Sequence, residues 1–169
     1  MFMKIDNFLS PEIFSMFVAE CEQLSQGITS GGRSKPVKVT GSAEIRAKLG
    51  IKWYVYFQRV QALFPSKIEP ESCRLQVTKD EPVDWHWDGA LPLGSLTANL
   101  AKSYTSILYT SPTWAEQPDE AGAWQSRDGT IIQPTPNRLI IYSRDIEHRV
   151  IPGVWPGIRS LALLSFYEL

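Results

Sequence analysis

Phe14, Phe17, Val18, Cys21 and Leu24 recur at three- and four-residue intervals, the repeat that places side chains on one face of an α-helix. Ser10-Pro11-Glu12 precedes them and reads as a helix start. It offers a side-chain oxygen for the free N–H groups, a proline whose fixed φ suits the first helical position, and an acid against the positive end of the helix dipole. A second helix is predicted over residues 42–49, capped by Ser42 and interrupted at Gly50. It resumes over 51–64, where Trp53, Tyr54, Phe57, Val60 and Phe64 fall mostly on one side, and Pro65 ends it.

Beyond Pro65 the pattern shortens. Residues 73–78, 105–109, 129–133, 138–142 and 160–166 are brief β-favouring runs separated by Pro, Gly, Asp and Asn. No helical repeat lies between them, so the strands are expected to pair antiparallel, as in a sandwich or jelly roll, rather than in a parallel α/β sheet. The pattern therefore predicts a mainly β protein in which helices come first and an all-β body follows. Residues 27–40, rich in Gly and Ser and carrying Arg33, Lys35 and Lys38, read as a solvated loop, with a flap over an anionic substrate as the alternative.

A chain of 169 residues, 43% hydrophobic, fits one domain with a proper core. With 17 Lys and Arg against 18 Asp and Glu, the net charge of -1 sets up no broad field toward nucleic acid or an anionic membrane. Cys21 and Cys73 stand in unrelated contexts, which suits two small buried thiols in a reducing compartment better than a disulfide or zinc site. Asp6 interrupts the N-terminus too early for a signal peptide, and no run of about 18 apolar residues exists. The expected location is the cytoplasm.

One stretch changes the picture. In Val83-Asp84-Trp85-His86-Trp87-Asp88-Gly89 a histidine and a carboxylate stand two apart at a strand end, so both project to the same side. The second of only two histidines, His148, could supply a third corner. Two histidines and one carboxylate on one side of a metal, with the other side open, is the ligand set of non-haem iron(II) oxygenases. Arg159 opens an otherwise apolar strand after a turn containing Pro152, Gly153, Pro156 and Gly157. An antiparallel return over that turn is expected to bring it back beside the strand of His148, and a guanidinium in an apolar pocket is a bidentate carboxylate receptor. Trp85 and Trp87 should point away from the face of His86 and Asp88. With Trp114, Trp124 and Trp155 they either wall a substrate site or, more ordinarily, fill core.

In the combination His86-x-Asp88 … His148-x10-Arg159 the chain resembles the Fe(II)/2-oxoglutarate-dependent oxygenase superfamily, in its prolyl-hydroxylase-like branch, over residues 74–166. The resemblance implies a single domain over 1–169: a helical part at about 8–65, packed on one sheet of a double-stranded β-helix (jelly roll) at about 72–168. It implies iron held by His86, Asp88 and His148, with 2-oxoglutarate as co-substrate chelating the iron, its far carboxylate on Arg159, and O2 as oxidant. Tyr109 falls where a family tyrosine donates to that carboxylate, and Gln76 where relatives carry a tyrosine near the co-substrate. Gly122, Asn137, Arg138 and Asp145 match family turns and are read as structural. Relatives often place a serine or threonine two residues after the arginine; here that position is Leu161, and Ser160, one residue off, faces the other way.

The implied reaction is hydroxylation of an amino-acid, peptidyl or other small-molecule C–H bond, with release of succinate and CO2. Asp88 is retained, unlike in halogenating relatives. The second arginine of nucleic-acid demethylases is replaced by Ser165, and with the near-zero net charge this predicts no nucleic-acid partner; no membrane partner is expected either, for want of a long apolar run. Substrate contacts are expected from residues 88–103 and 111–128. The alternative function is a non-catalytic or differently metallated cupin-like binding module, which has no need of Arg159.

Overall fold

The computed structural model describes residues 1–26, 32–33, 36–79, 82–88 and 102–169. Three helices, α1 (Pro11–Ser25), α2 (Ser42–Leu49) and α3 (Ile51–Gln61), accompany eleven strands: β1 (Phe2–Ile5), β2 (Gly32–Arg33), β3 (Val37–Lys38), β4 (Ile68–Thr78), β5 (Val83–His86), β6 (Ser103–Tyr109), β7 (Trp124–Ser126), β8 (Ile131–Ile132), β9 (Leu139–Ser143), β10 (His148–Val150) and β11 (Arg159–Glu168). They form two antiparallel sheets. The larger runs β1-β9-β6-β11-β4-β2 with β3 also on β4, and the smaller runs β5-β10-β7-β8.

α1 begins as its sequence dictates, with Pro11 in the first turn and the Ser10 hydroxyl accepting from Ile13 N at 3.4 Å. α2 differs from expectation: Gly41 is its cap and Ser42 already lies inside the helix. Thr40 supplies the local closure instead, its backbone N–H and hydroxyl both donating to Glu44. Gly50, at φ 84, separates α2 from α3, a left-handed turn that costs glycine nothing. α3 stops at Gln61 rather than reaching Phe64, though Phe64 remains buried.

The period-two alternation of the large sheet sorts its side chains between two environments. Leu75, Val77, Leu108, Leu139, Ala162, Leu164 and Phe166 face the helices and join Phe17, Trp53, Tyr56 and Phe57 in the main core. Ile107, Tyr109, Ile140, Tyr142 and Leu161 face the small sheet and meet Trp124 and Ile132 there. Tyr56, fully buried, keeps its hydroxyl satisfied by Ser106 at 3.0 Å. Burial pushes the Cys73 thiol up to about 12 and raises Cys21 as well, as small buried thiols should behave.

Several elements depart from the sequence pattern. A strand precedes the helices, because β1 pairs with β9, aligning Phe2 with Tyr142 and Ile5 with Leu139. Part of the stretch read as a loop over 27–40 forms β2 and β3 on the edge of β4, while 27–31 and 34–35 lie outside the described residues. The run 129–133 contracts to the two-residue β8. β10 and β11 do not share a sheet: β10 lies between β5 and β7, and β11 between β4 and β6. The turn between them crosses from one sheet to the other, so Arg159 faces the histidine strands across the interior instead of beside them.

Candidate metal centre and anion pocket

The end of β5 and the start of β10 are paired so that His86 stands directly opposite His148, with ring centroids 4.3 Å apart. Asp88 follows β5 and turns back over both, its Oδ1 3.5 Å from the Nε2 of each histidine. Ligand atoms of the three residues lie within 4.8 Å of one another, the one such His/Cys/Asp/Glu group among the described residues. Both rings are oriented by the chain. His86 Nδ1 lies 2.7 Å from the Asp84 carbonyl and His148 Nδ1 3.0 Å from the Ile146 carbonyl. A carbonyl only accepts, so each Nδ1 carries the proton and each Nε2 presents a lone pair toward Asp88.

Tyr142 completes the arrangement. Its hydroxyl donates to Asp88 Oδ2 at 2.5 Å and lies 3.3 Å from His148 Nε2. Burial acts to raise Asp88, but its close contacts with His148 and His86 and the hydrogen bond donated by Tyr142 outweigh it and hold the carboxyl well below the usual range. For Tyr142 both burial and the Asp88 charge act upward, keeping the phenol protonated as a donor. Trp124 stacks on His148 at 5.5 Å and is itself covered by Phe2 of β1 at 5.5 Å. The β1 strand, unread in the sequence, thus backs the histidine through Trp124.

Across the interior, Arg159 begins β11 at 2% exposure, its Nε donating to the Gly122 carbonyl at 2.8 Å. Gly122 sits at φ 82 in the turn before β7, where an added Cβ would lie 2.6 Å from the Trp114 ring. A side chain at this position would be strained by the positive φ and would collide with that ring. Arg159 has no carboxylate partner among the described residues. Its guanidinium lies over the Tyr109 ring, 5.5 Å from the centroid, and the Tyr109 hydroxyl is buried without a hydrogen-bond partner. Burial lowers Arg159 and raises Tyr109, each opposed by the other's charge. A buried guanidinium with no carboxylate to balance its charge is costly, and a ligand carboxylate in the cavity that Arg159 lines would balance it.

One cavity of about 100 Å³ is lined by His86, Asp88, His148, Arg159 and Gln76 together. Gln76 sits on β4 opposite Leu161. Tyr109 is a neighbour of Arg159 through its ring and is not among the lining residues. Leu161 lines the cavity while Ser160 turns away, bonding Thr110 at 2.9 Å on the helix side. Of the five tryptophans weighed as walls, Trp124 alone lines this cavity. Trp85 lies under Arg127 and Arg149 at 4.0 and 4.8 Å, Trp87 is 58% exposed, and Trp114 packs with Trp155 around Gly122. Asn137 clamps Leu9 through both side-chain atoms, Arg138 pairs with Asp6, and Asp145 is exposed. Residues 89–101 of the expected substrate segment lie outside the described residues.

Tyr142 and Gly122 were not legible as site residues. Tyr142 reads as one more apolar member of a strand, and only its cross-sheet position gives it a carboxylate to serve.

No protein-family sequence model matches the chain, and no curated protein is recognisably similar to it in sequence. Solved structures do share its architecture. A prolyl-4-hydroxylase from Pseudomonas putida aligns at a TM-score of 0.65 and 16% identity, over 99% of this chain and 91% of that one. A Trichoplax adhaerens prolyl hydroxylase, in complex with a hypoxia inducible factor oxygen degradation domain peptide fragment, aligns at 0.64 and 19%, over 99% and 83%. HygX from Streptomyces hygroscopicus, with nickel and 2-oxoglutarate bound, aligns at 0.68 and 12%, over 99% and 82%. At these identities the likeness is one of fold, and at that level it meets the resemblance read from the sequence.

Proposed function

We propose that the protein is an Fe(II)- and 2-oxoglutarate-dependent oxygenase, a single domain over residues 1–169 whose two sheets are the halves of a double-stranded β-helix. The reaction consumes O2 and 2-oxoglutarate, hydroxylates a C–H bond of a small-molecule or peptidyl substrate, and releases succinate and CO2. The observation that carries this reading is the sharing of one cavity by a His-Asp-His donor set and by Arg159, a buried guanidinium with no carboxylate partner among the described residues. A metal-binding module without oxygen chemistry leaves that arginine without a purpose.

The donor set suits Fe(II): two neutral imidazoles and a carboxylate from one side, open on the other. Bound there, the metal would supply the activation of O2 that oxidises the co-substrate and the substrate. The chain's own contribution is positional. Asp84 and Ile146 carbonyls hold His86 and His148 in the ligating tautomer, and Tyr142 occupies Asp88 Oδ2, leaving Oδ1 to the metal. Arg159, steered by Gly122, and the Tyr109 hydroxyl would take the far carboxylate of 2-oxoglutarate, with Gln76 beside its length. Ile107, Leu161 and Trp124 supply apolar wall that keeps water from the reacting atoms. Among the described residues no helix is long and apolar enough to cross a membrane; a cytoplasmic location and a dissolved substrate are part of the proposal.

The test is anaerobic titration with Fe(II) and then 2-oxoglutarate. A weak visible metal-to-ligand charge-transfer band is expected, followed by succinate on admission of air. No band and no succinate would sink the reading.

A further inference from the structure

A second cavity, of about 240 Å³, adjoins the metal site: Asp88, Arg74 and Leu163 line both. The pocket face of β11 is graded along its length. It starts at Arg159, passes Leu161 and Leu163, and ends at Ser165, which lines the second cavity with Thr105 of β6. Beyond the apolar middle the walls turn charged, with Arg144 and Glu71 facing one another across the cavity end.

Arg144 is 6% exposed, and its backbone N–H, bonded to the Ser103 carbonyl at 2.9 Å, fixes where it leaves β9. One arm of its guanidinium donates to the Glu71 carboxylate. Its Nε is buried with no hydrogen-bond partner, and so is the Thr105 hydroxyl. Two unsatisfied donors on residues lining one cavity call for an acceptor there. A simple anion is a poor answer, because it would also confront Glu71. A ligand carrying a carboxylate and an ammonium on neighbouring atoms answers Arg144 and Glu71, while Arg74 and Asp88, the other two charged residues lining the cavity, offset one another in net charge on the side shared with the metal site. The cavity is smaller than the ~300–1,000 Å³ that takes drug-sized ligands, and Leu163 gives an aliphatic carbon a dry path from the charged end toward the metal.

We infer that the Arg144–Glu71 end of the cleft anchors the prime substrate, and that this substrate is a small free zwitterion of the α-amino-acid class. Its carboxylate lies on Arg144 and Thr105 and its ammonium on Glu71, with its side chain directed over Leu163 to the metal. This rests on the oxygenase reading for the chemistry, though not for the binding.

The experiment measures binding by calorimetry and ligand-observed NMR, with the metal-free protein and with Fe(II) and 2-oxoglutarate under argon. The probes are the proteinogenic L-amino acids, their N-acetyl and methyl-ester derivatives, and short peptides. At least one free amino acid is expected to bind and to accelerate succinate formation in air, while its blocked forms bind about tenfold or more weakly. Glu71→Gln, whose folding is checked first by its thermal midpoint because it takes the carboxylate from buried Arg144, should weaken that amino acid by about tenfold and leave the charge-transfer band unchanged. Thr105→Val should act in the same direction. A band with no binding of any free amino acid, or equal binding of the blocked forms and peptides, overturns the anchor and spares the oxygenase. Amino-acid binding lost in Glu71→Gln, without any band, keeps the anchor and overturns the oxygenase.

Discussion

The two faces of β11 answer to different demands. Toward the helices it presents Ala162, Leu164 and Phe166, all fully buried among apolar neighbours. Toward the small sheet the same strand presents Arg159, Leu161, Leu163 and Ser165, with a cavity in front of them. The first face converts buried area into stability. The second gives up packing, leaving the Arg159 guanidinium with no carboxylate among the described residues so that a ligand can supply one. One strand can do both because side chains alternate at every residue, and losses on one face should be separable from losses on the other.

The largest effect is expected on the helix face. Phe166→Ala, which removes a ring packed edge-on against Phe64 at 5.3 Å, should cost about 3–5 kcal/mol in urea unfolding. The remaining folded protein should still give the charge-transfer band. Arg159→Ala on the other face should do the reverse: about 2–5 kcal/mol lost from 2-oxoglutarate binding, measured by calorimetry, with unfolding stability unchanged or improved because an unpaired buried cation is gone. Equal loss of iron and co-substrate affinity would mean that Arg159 is a structural residue and the comparison fails.

Metal addition sharpens the same contrast. Ni(II) or Zn(II) at a hundredfold over its Kd should raise stability by about 2.7 kcal/mol, and His148→Ala should abolish the gain. A smaller step is Tyr142→Phe, which removes only the hydroxyl that orients Asp88. Metal affinity should fall by roughly 10–100-fold while the thermal midpoint of the metal-free protein moves little. The smallest expected effect is none. Cys21 and Cys73, buried on the helix side with their thiols raised, should resist alkylation at pH 8 in the native protein and label promptly in denaturant. Rapid native labelling would show that the helix layer opens readily.

The sequence carried the helix starts and the strongest strands because these rest on near-neighbour spacing, which local patterns encode. It also paired His86 with Asp88, since a two-residue step in an extended chain puts both on one side. It did not carry β1, β7 or β10, whose runs are too short to show a period, and those strands back His148 with Trp124 and set it opposite His86. The antiparallel return expected for Arg159 fails for a related reason: a turn's composition says that the chain reverses, not which sheet it re-enters.

By itself the sequence determined which chemical groups this protein owns: two imidazoles, a carboxylate beside one of them, and an arginine opening an apolar strand. Only the tertiary structure decided what each is next to. It set Tyr142 against Asp88, aimed the Gly122 carbonyl at Arg159, and put Arg144 and Glu71 at the far end of the cleft. Those placements depend on contacts between residues distant along the chain and brought together by pairing in two sheets, and such contacts leave no periodic trace in a sequence.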